Sequence, residues 1–204
     1  MYILTCTTPP ESWSDNIFLV QDAALESQLL NAGYRRHDRA YIIIDKHRKI
    51  SVICPEYRNE TKGLEPVVII PDFLVPRRPY PVYVYLYAIS LYAEAPDKGQ
   101  RWAAEETRKH FGLATFSHTT LGRALKSFVR MIIENARMPE EACPQAESNE
   151  KTPSFPSGRS TASLRKLASR FLAKAEVFID RRQAAAAYCG LARDWFREYR
   201  RFLL

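Results

Sequence analysis

The chain has 204 residues, 46% of them hydrophobic and 12% aromatic, which is enough apolar material for one sizeable domain or two small ones and excludes a wholly disordered protein. No run approaches the length of a membrane span, and the start MYILTCTTPPE has no basic stretch leading into an apolar core, so neither a transmembrane helix nor a signal peptide is expected, and the cytoplasm is the expected compartment. The net charge of +7 is unevenly spread: residues 1–158 hold 19 Lys/Arg and 19 Asp/Glu, whereas residues 159–204 hold 11 and 4, so the whole excess lies in the tail.

Residues 1–71 read as a small α/β, ribbon-like unit. Tyr2 to Cys6 is a candidate strand. Val20 to Ala32 (VQDAALESQLLNA) has helical spacing and stops at Gly33, a residue suited to closing a helix. Ala40 to Asp45, Ile50 to Cys54 and Pro66 to Ile70 are rich in β-branched residues and are predicted strands. The sequence KHRK between the first two is the expected hairpin tip; it could touch phosphate, although a solvated turn is the simpler reading. Pro71 to Pro81 is a proline-punctuated connector whose Arg77 and Arg78 resist burial. In VYVYLYAISLYAEA, alternation argues for a strand, and the spacing of Tyr83, Leu86, Tyr87, Ile89, Ser90 and Leu91 for a buried helix. Its length and its exit through Pro96-Asp97-Lys98-Gly99 into another helical segment favour the helix, with its tyrosines in the core rather than stacked on bases.

The segment from Gln100 to Arg137 carries the functional signal. Trp102, Ala103, Ala104 and Phe111 mark the inward face of one helix, which Gly112 would close in a left-handed conformation; Ser117 is then a suitable N-cap for a second. In that second helix Leu121, Leu125, Phe128, Val129, Ile132 and Ile133 form a buried stripe. Thr119, Arg123, Lys126 and Arg130 recur on another face, with no acid on it before Glu134. Side chains of these types donate to base edges and phosphates, and two short helices joined by a Gly-containing turn frame a DNA-reading helix-turn-helix. Paired amphipathic helices also occur as plain core, so the free basic face is what separates the two readings. The linker Ala114-Thr115-Phe116-Ser117 is longer than the tightest turns of this motif. Residues 72–137 are thus expected to form a three-helix helix-turn-helix domain, with Ser117, His118, Thr119, Thr120, Arg123, Lys126 and Arg130 facing DNA.

Met138 to Gly158 is polar, proline-rich and aperiodic, and Met138 to Glu150 holds four acids and no base, so 138–158 is expected to be an acidic linker. Residues 159–204 are predicted to form a basic helical hairpin. Leu164, Leu167, Ala168, Phe171, Leu172 and Ala175 define its first helix. Tyr188, Ala192, Trp195, Tyr199 and Phe202 define a stripe of the second, ringed by Arg193, Arg197, Arg200 and Arg201. Such a pair can bind phosphates, an acidic lipid surface or a partner helix, or dock on its own domain or a second copy. Here packing accounts for the aromatic stripe, and DNA is the expected partner of the four arginines.

Ile70-Pro71-Asp72-Phe73-Leu74-Val75-Pro76, followed by Arg77-Arg78-Pro79-Tyr80 and the helices to Lys126, resembles bacterial proteins in which a small zinc ribbon precedes a helix-turn-helix, related to the N-terminal regions of insertion-sequence transposases. The resemblance covers about Cys54 to Ser127. It implies DNA binding and association with mobile elements, and it names no reaction. The metal site departs from that pattern. A ribbon needs four thiolates or imidazoles, normally as two Cys-x-x-Cys knuckles. Cys54-Pro55-Glu56-Tyr57 and Cys6-Thr7-Thr8-Pro9 each carry only the first cysteine, and His37 and His47 supply no matching spacing. No metal and no cofactor are expected, with apolar packing by Ile42 to Ile44 and Val67 to Ile70 in place of zinc. Cys6, Cys54, Cys143 and Cys189 are widely separated and expected to be reduced.

Catalysis finds little support. The four histidines (His37, His47, His110, His118) have no cysteine or serine partner at a telling spacing, no phosphate-binding glycine loop occurs, and Asp72 suits a turn or cap better than a metal. The expectation is an α+β, non-enzymatic protein that binds double-stranded DNA as a regulator or accessory factor of a mobile element. The alternative is an adaptor that binds a protein partner, or itself, through residues 159–204, with Trp195, Tyr199 and Phe202 as anchors. No membrane partner is expected.

Overall fold

The two long β-branched runs on either side of Lys46-His47 fold back on each other. In a computed structural model, which describes residues 2–4, 16–59, 64–135, 161–174 and 184–204, β3 (Arg35–Asp45) pairs antiparallel with β4 (Arg48–Asn59) from Asp45↔Arg48 to Arg35↔Arg58. The polar pair Lys46-His47 forms the tip, where Lys46 takes a left-handed φ of 52°. β5 (Leu64–Pro71) pairs antiparallel with the far half of β4, through Glu56↔Val68 and Tyr57↔Val67. Two three-residue strands complete the sheet: β1 (Tyr2–Leu4) lies parallel to β5, and β2 (Ile17–Leu19) parallel to β4. The order is β1-β5-β4-β2, with β3 on the other side of β4. The helix α1 (Ala23–Asn31) is capped by Asp22, whose Oδ1 accepts from the Leu25 N–H at 3.1 Å.

Alternation along β4 buries Ile50, Val52, Cys54 and Glu56 on one face. The connector after β5 is far more buried than its prolines and arginines suggest. Phe73, Leu74, Val75 and Tyr80 are core residues, and within the connector up to Tyr80 the surface is reached by Arg77 and Pro79, with Pro76 and Arg78 half-buried. Phe18 of β2 meets Phe73 edge-on at 6.0 Å, so the connector joins sheet and helices in one continuous core.

Among the described residues, five helices follow the connector: α2 (Val82–Glu94), α3 (Gln100–Phe111), α4 (His118–Asn135), α5 (Thr161–Lys174) and α6 (Ala184–Tyr199). The chain is therefore α+β, with the three-helix unit α2–α4 and the C-terminal helical pair α5–α6. Every residue of α2 from Val82 to Ala93 is buried. A helix apolar all round needs cover on all sides; α3 and α4 supply part of it, and α5 and α6 pack against the rest. The tail is docked through Phe171, which meets Phe128 of α4 at 5.6 Å and Trp195 of α6 at 5.6 Å, both edge-on. Arg165 of α5 stacks 3.7 Å above the Tyr92 ring and donates to the carbonyls of Pro96 and Lys98. The expected linker, 138–158, lies outside the described residues.

Candidate nucleic-acid interface

The site starts with the way α3 stops. Gly112 has φ 60°, and the N–H groups of Gly112 and Leu113 donate to the carbonyls of Lys109 and Arg108 at 3.3 and 2.9 Å. That pair of bonds closes a helix in a Schellman turn, and a left-handed residue is its requirement. The turn that follows is held from below. Tyr80 donates its hydroxyl proton to the Thr115 carbonyl, and its ring meets Phe116 edge-on at 5.2 Å. Ser117 then caps α4: its Oγ accepts from the Thr120 N–H at 3.2 Å, and its carbonyl accepts from Leu121 at 3.0 Å. The Ser117 and Thr120 hydroxyls also bond each other at 3.1 Å, so both are engaged in starting the helix.

The hydrophobic pattern of α4 sets its faces. Leu121, Ala124, Leu125, Phe128, Val129, Met131 and Ile132 are buried, and Ile133 is half-buried. His118, Thr119, Arg123, Lys126 and Arg130 are all exposed. Their spacing places Thr119, Arg123, Lys126 and Arg130 on one outward stripe. Neither Arg123 nor Lys126 forms an ion pair with a described residue, whereas Arg130 lies 3.6 Å from Glu134. Two cations from distant parts of the chain meet that carboxylate, because Arg201 also approaches Glu134 at 3.6 Å. Arg201 thus joins the far end of the α4 face.

The other tail arginines are placed differently. Arg193 points inward, with a side chain 21% exposed and 3.7 Å from the buried carboxylate of Asp72. Arg197 lies 3.7 Å from Asp194, and Arg200 is exposed with a left-handed φ of 54°. Trp195 and Tyr188 are buried, while Tyr199 and Phe202 are half-buried. Most of the expected aromatic stripe therefore lies within the molecule.

The hairpin tip lies closer to the site than its distance in sequence suggests. The Ala114 N–H, in the turn between α3 and α4, donates to the Lys46 carbonyl at 3.2 Å. A Cβ at Gly112 would sit 3.8 Å from Lys46 Cγ. Sequence reasoning recognised KHRK as a tip but had no signal for this docking, which depends on how the sheet meets the helices.

The described residues do not fit a zinc shell of the ribbon type. Cys54 is buried in β4, and burial pushes its thiol up to about 12, far from the thiolate that zinc requires. Among the described residues no group of three or more His, Cys, Asp or Glu side chains could hold a metal ion. Cys6 and Cys143 lie outside the described residues. No helix among the described residues is long and apolar enough to cross a membrane.

In comparisons with known proteins, no family model matches the chain, and neither a curated protein nor a solved structure matches it.

Proposed function

We propose that this chain is a non-enzymatic, double-stranded DNA-binding protein that reads the major groove with α4. The observation that carries this reading is the exposed stripe Thr119–Arg123–Lys126–Arg130 on a helix otherwise packed by α2, α3 and α5. Arg123 and Lys126 on that stripe have no carboxylate partner among the described residues, which leaves both cations available to an anionic partner. Ser117 and Thr120 fix the start of the helix, His118 and Thr119 stand at the end that enters the groove, and Arg123 reaches a base edge. Lys126, Arg130 and, across Glu134, Arg201 face phosphates; Arg197 and Arg200 extend that basic rim. The resemblance of Ile70 to Pro76 supports a regulator or accessory factor of a mobile element acting in the cytoplasm.

An adaptor that uses residues 159–204 remains a second reading. Its partner would have to engage the outer arginines of the tail, because Trp195 is interior.

Site selection from a random duplex pool, followed by Arg123→Ala, tests the leading proposal. The expected result is a loss of about 1–3 kcal/mol with relaxed preference at one base pair, while Lys126→Ala weakens all sequences alike. Selection and affinity unchanged in both variants would remove α4 from the interface.

A further inference from the structure

The β3–β4 hairpin meets the rest of the protein at a telling place. Its tip is bonded through the Lys46 carbonyl to Ala114, four residues before His118 opens α4. Four residues of chain span at most about 14 Å, the rise of roughly four nucleotides along one DNA strand. The tip and the start of α4 can therefore face the same short stretch of duplex.

The chemistry of the tip suits a polyanion. Lys46, His47 and Lys49 are exposed. The nearest acid within the hairpin, Asp45, is buried and held by Arg48 at 3.0 Å, so it is already partnered. At the end of α3, Lys109 is paired with Glu106 at 3.0 Å. Lys46 and Lys49 form no ion pair with a described residue. The Lys46 backbone, not its side chain, makes the bond to the turn, which leaves the ammonium group available while fixing where it stands.

We propose that the Lys46–Lys49 tip is a second DNA contact, which grips backbone phosphates beside the segment that α4 reads. The inference rests on the reading of α4 as a DNA-reading helix. It assigns the tip to phosphates because lysine is a flexible point charge without the planar fork used for base edges.

The test is a salt series on the full chain, with a selected duplex and a scrambled one. Lys46→Ala with Lys49→Ala keeps the backbone bond to Ala114 and removes two cations. Each phosphate contact contributes about 0.9 to the slope of log affinity against log salt. The expected result is a slope shallower by roughly 1.8, with equal losses on both duplexes and an unaltered thermal midpoint. Lys46→Gln with Lys49→Gln should give the same shift, and it replaces the alanine pair if that pair folds poorly. Wild-type slope and affinity in a folded double variant would overturn the tip contact and leave the α4 reading standing. A wild-type protein that binds neither duplex would overturn both.

Discussion

Arg193 of α6 lies 3.7 Å from Asp72, a carboxylate buried in the connector between sheet and helices. This pair links the last helix to the chain some 120 residues earlier, at a depth where an unpartnered charge is costly. Arg193→Ala should lower stability by about 3 kcal/mol in urea unfolding, and should leave the salt slope of DNA binding unchanged once the protein is folded. A stable variant with a shallower slope would mean that Arg193 touches phosphate instead.

The docking of α5 and α6 makes the tail part of the core. Trp195→Ala removes the ring that Phe171 meets at 5.6 Å and Tyr199 at 4.3 Å, and should cost about 3–5 kcal/mol. A truncation that removes both helices would uncover α2 along one side, and should yield a poorly folded protein detectable by lost unfolding cooperativity. A truncated chain that unfolds cooperatively at the wild-type midpoint would show that the tail is an appendage.

The turn between α3 and α4 depends on two residues of different kinds. Gly112→Ala meets no steric obstacle, since its Cβ would have 3.8 Å to Lys46 Cγ. Its cost, about 1–2 kcal/mol, comes from the left-handed backbone at φ 60°. Tyr80→Phe keeps the ring against Phe116 and deletes the hydroxyl bond to Thr115. It should cost about 1 kcal/mol and weaken specific DNA binding more than non-specific binding, because it loosens the entry of α4. Equal affinity for the selected duplex in wild type and Tyr80→Phe would show that this bond does not position the helix.

Alkaline pH should destabilise the protein through Cys54. Burial in β4 pushes its thiol from the ordinary value of 9.0 up to about 12. The contribution of this group is fully present below pH 9.0 and is lost as pH rises toward 12, because the unfolded chain gives up a proton that the folded chain keeps. Burial raises the Tyr85 hydroxyl as well, in the same direction. Denaturant midpoints measured at the two ends of that interval should differ, and Cys54→Ala should reduce the difference. A variant with the wild-type pH dependence would contradict the assignment.

The helical half was legible because its punctuation is local. Gly112 and Ser117 mark the ends of α3 and α4, and the apolar period of α4 separates its two faces. The sheet was less so. β3 begins at Arg35 rather than Ala40, since its first residues are exposed and held by ladder bonds to β4, which leave no apolar signature. The three-residue β2 likewise exists through its pairing with Ser51 to Ile53. Docking of the tail leaves a trace in the sequence: Val82 to Ala93 contains no polar face, so α2 needs more cover than two helices give. For the candidate site, the stripe on α4 was readable from period and charge. The inward turn of Arg193 and the approach of Lys46 to Ala114 were not, because each joins segments far apart in sequence.

Binding of a fluorescently labelled duplex across a salt series tests the central claim most directly. The account predicts measurable affinity at low salt and a linear, steep fall of log affinity with log salt, with a slope of about −0.9 for each phosphate engaged. An anisotropy that does not rise at low salt, or an affinity indifferent to salt, would contradict DNA as the partner of α4.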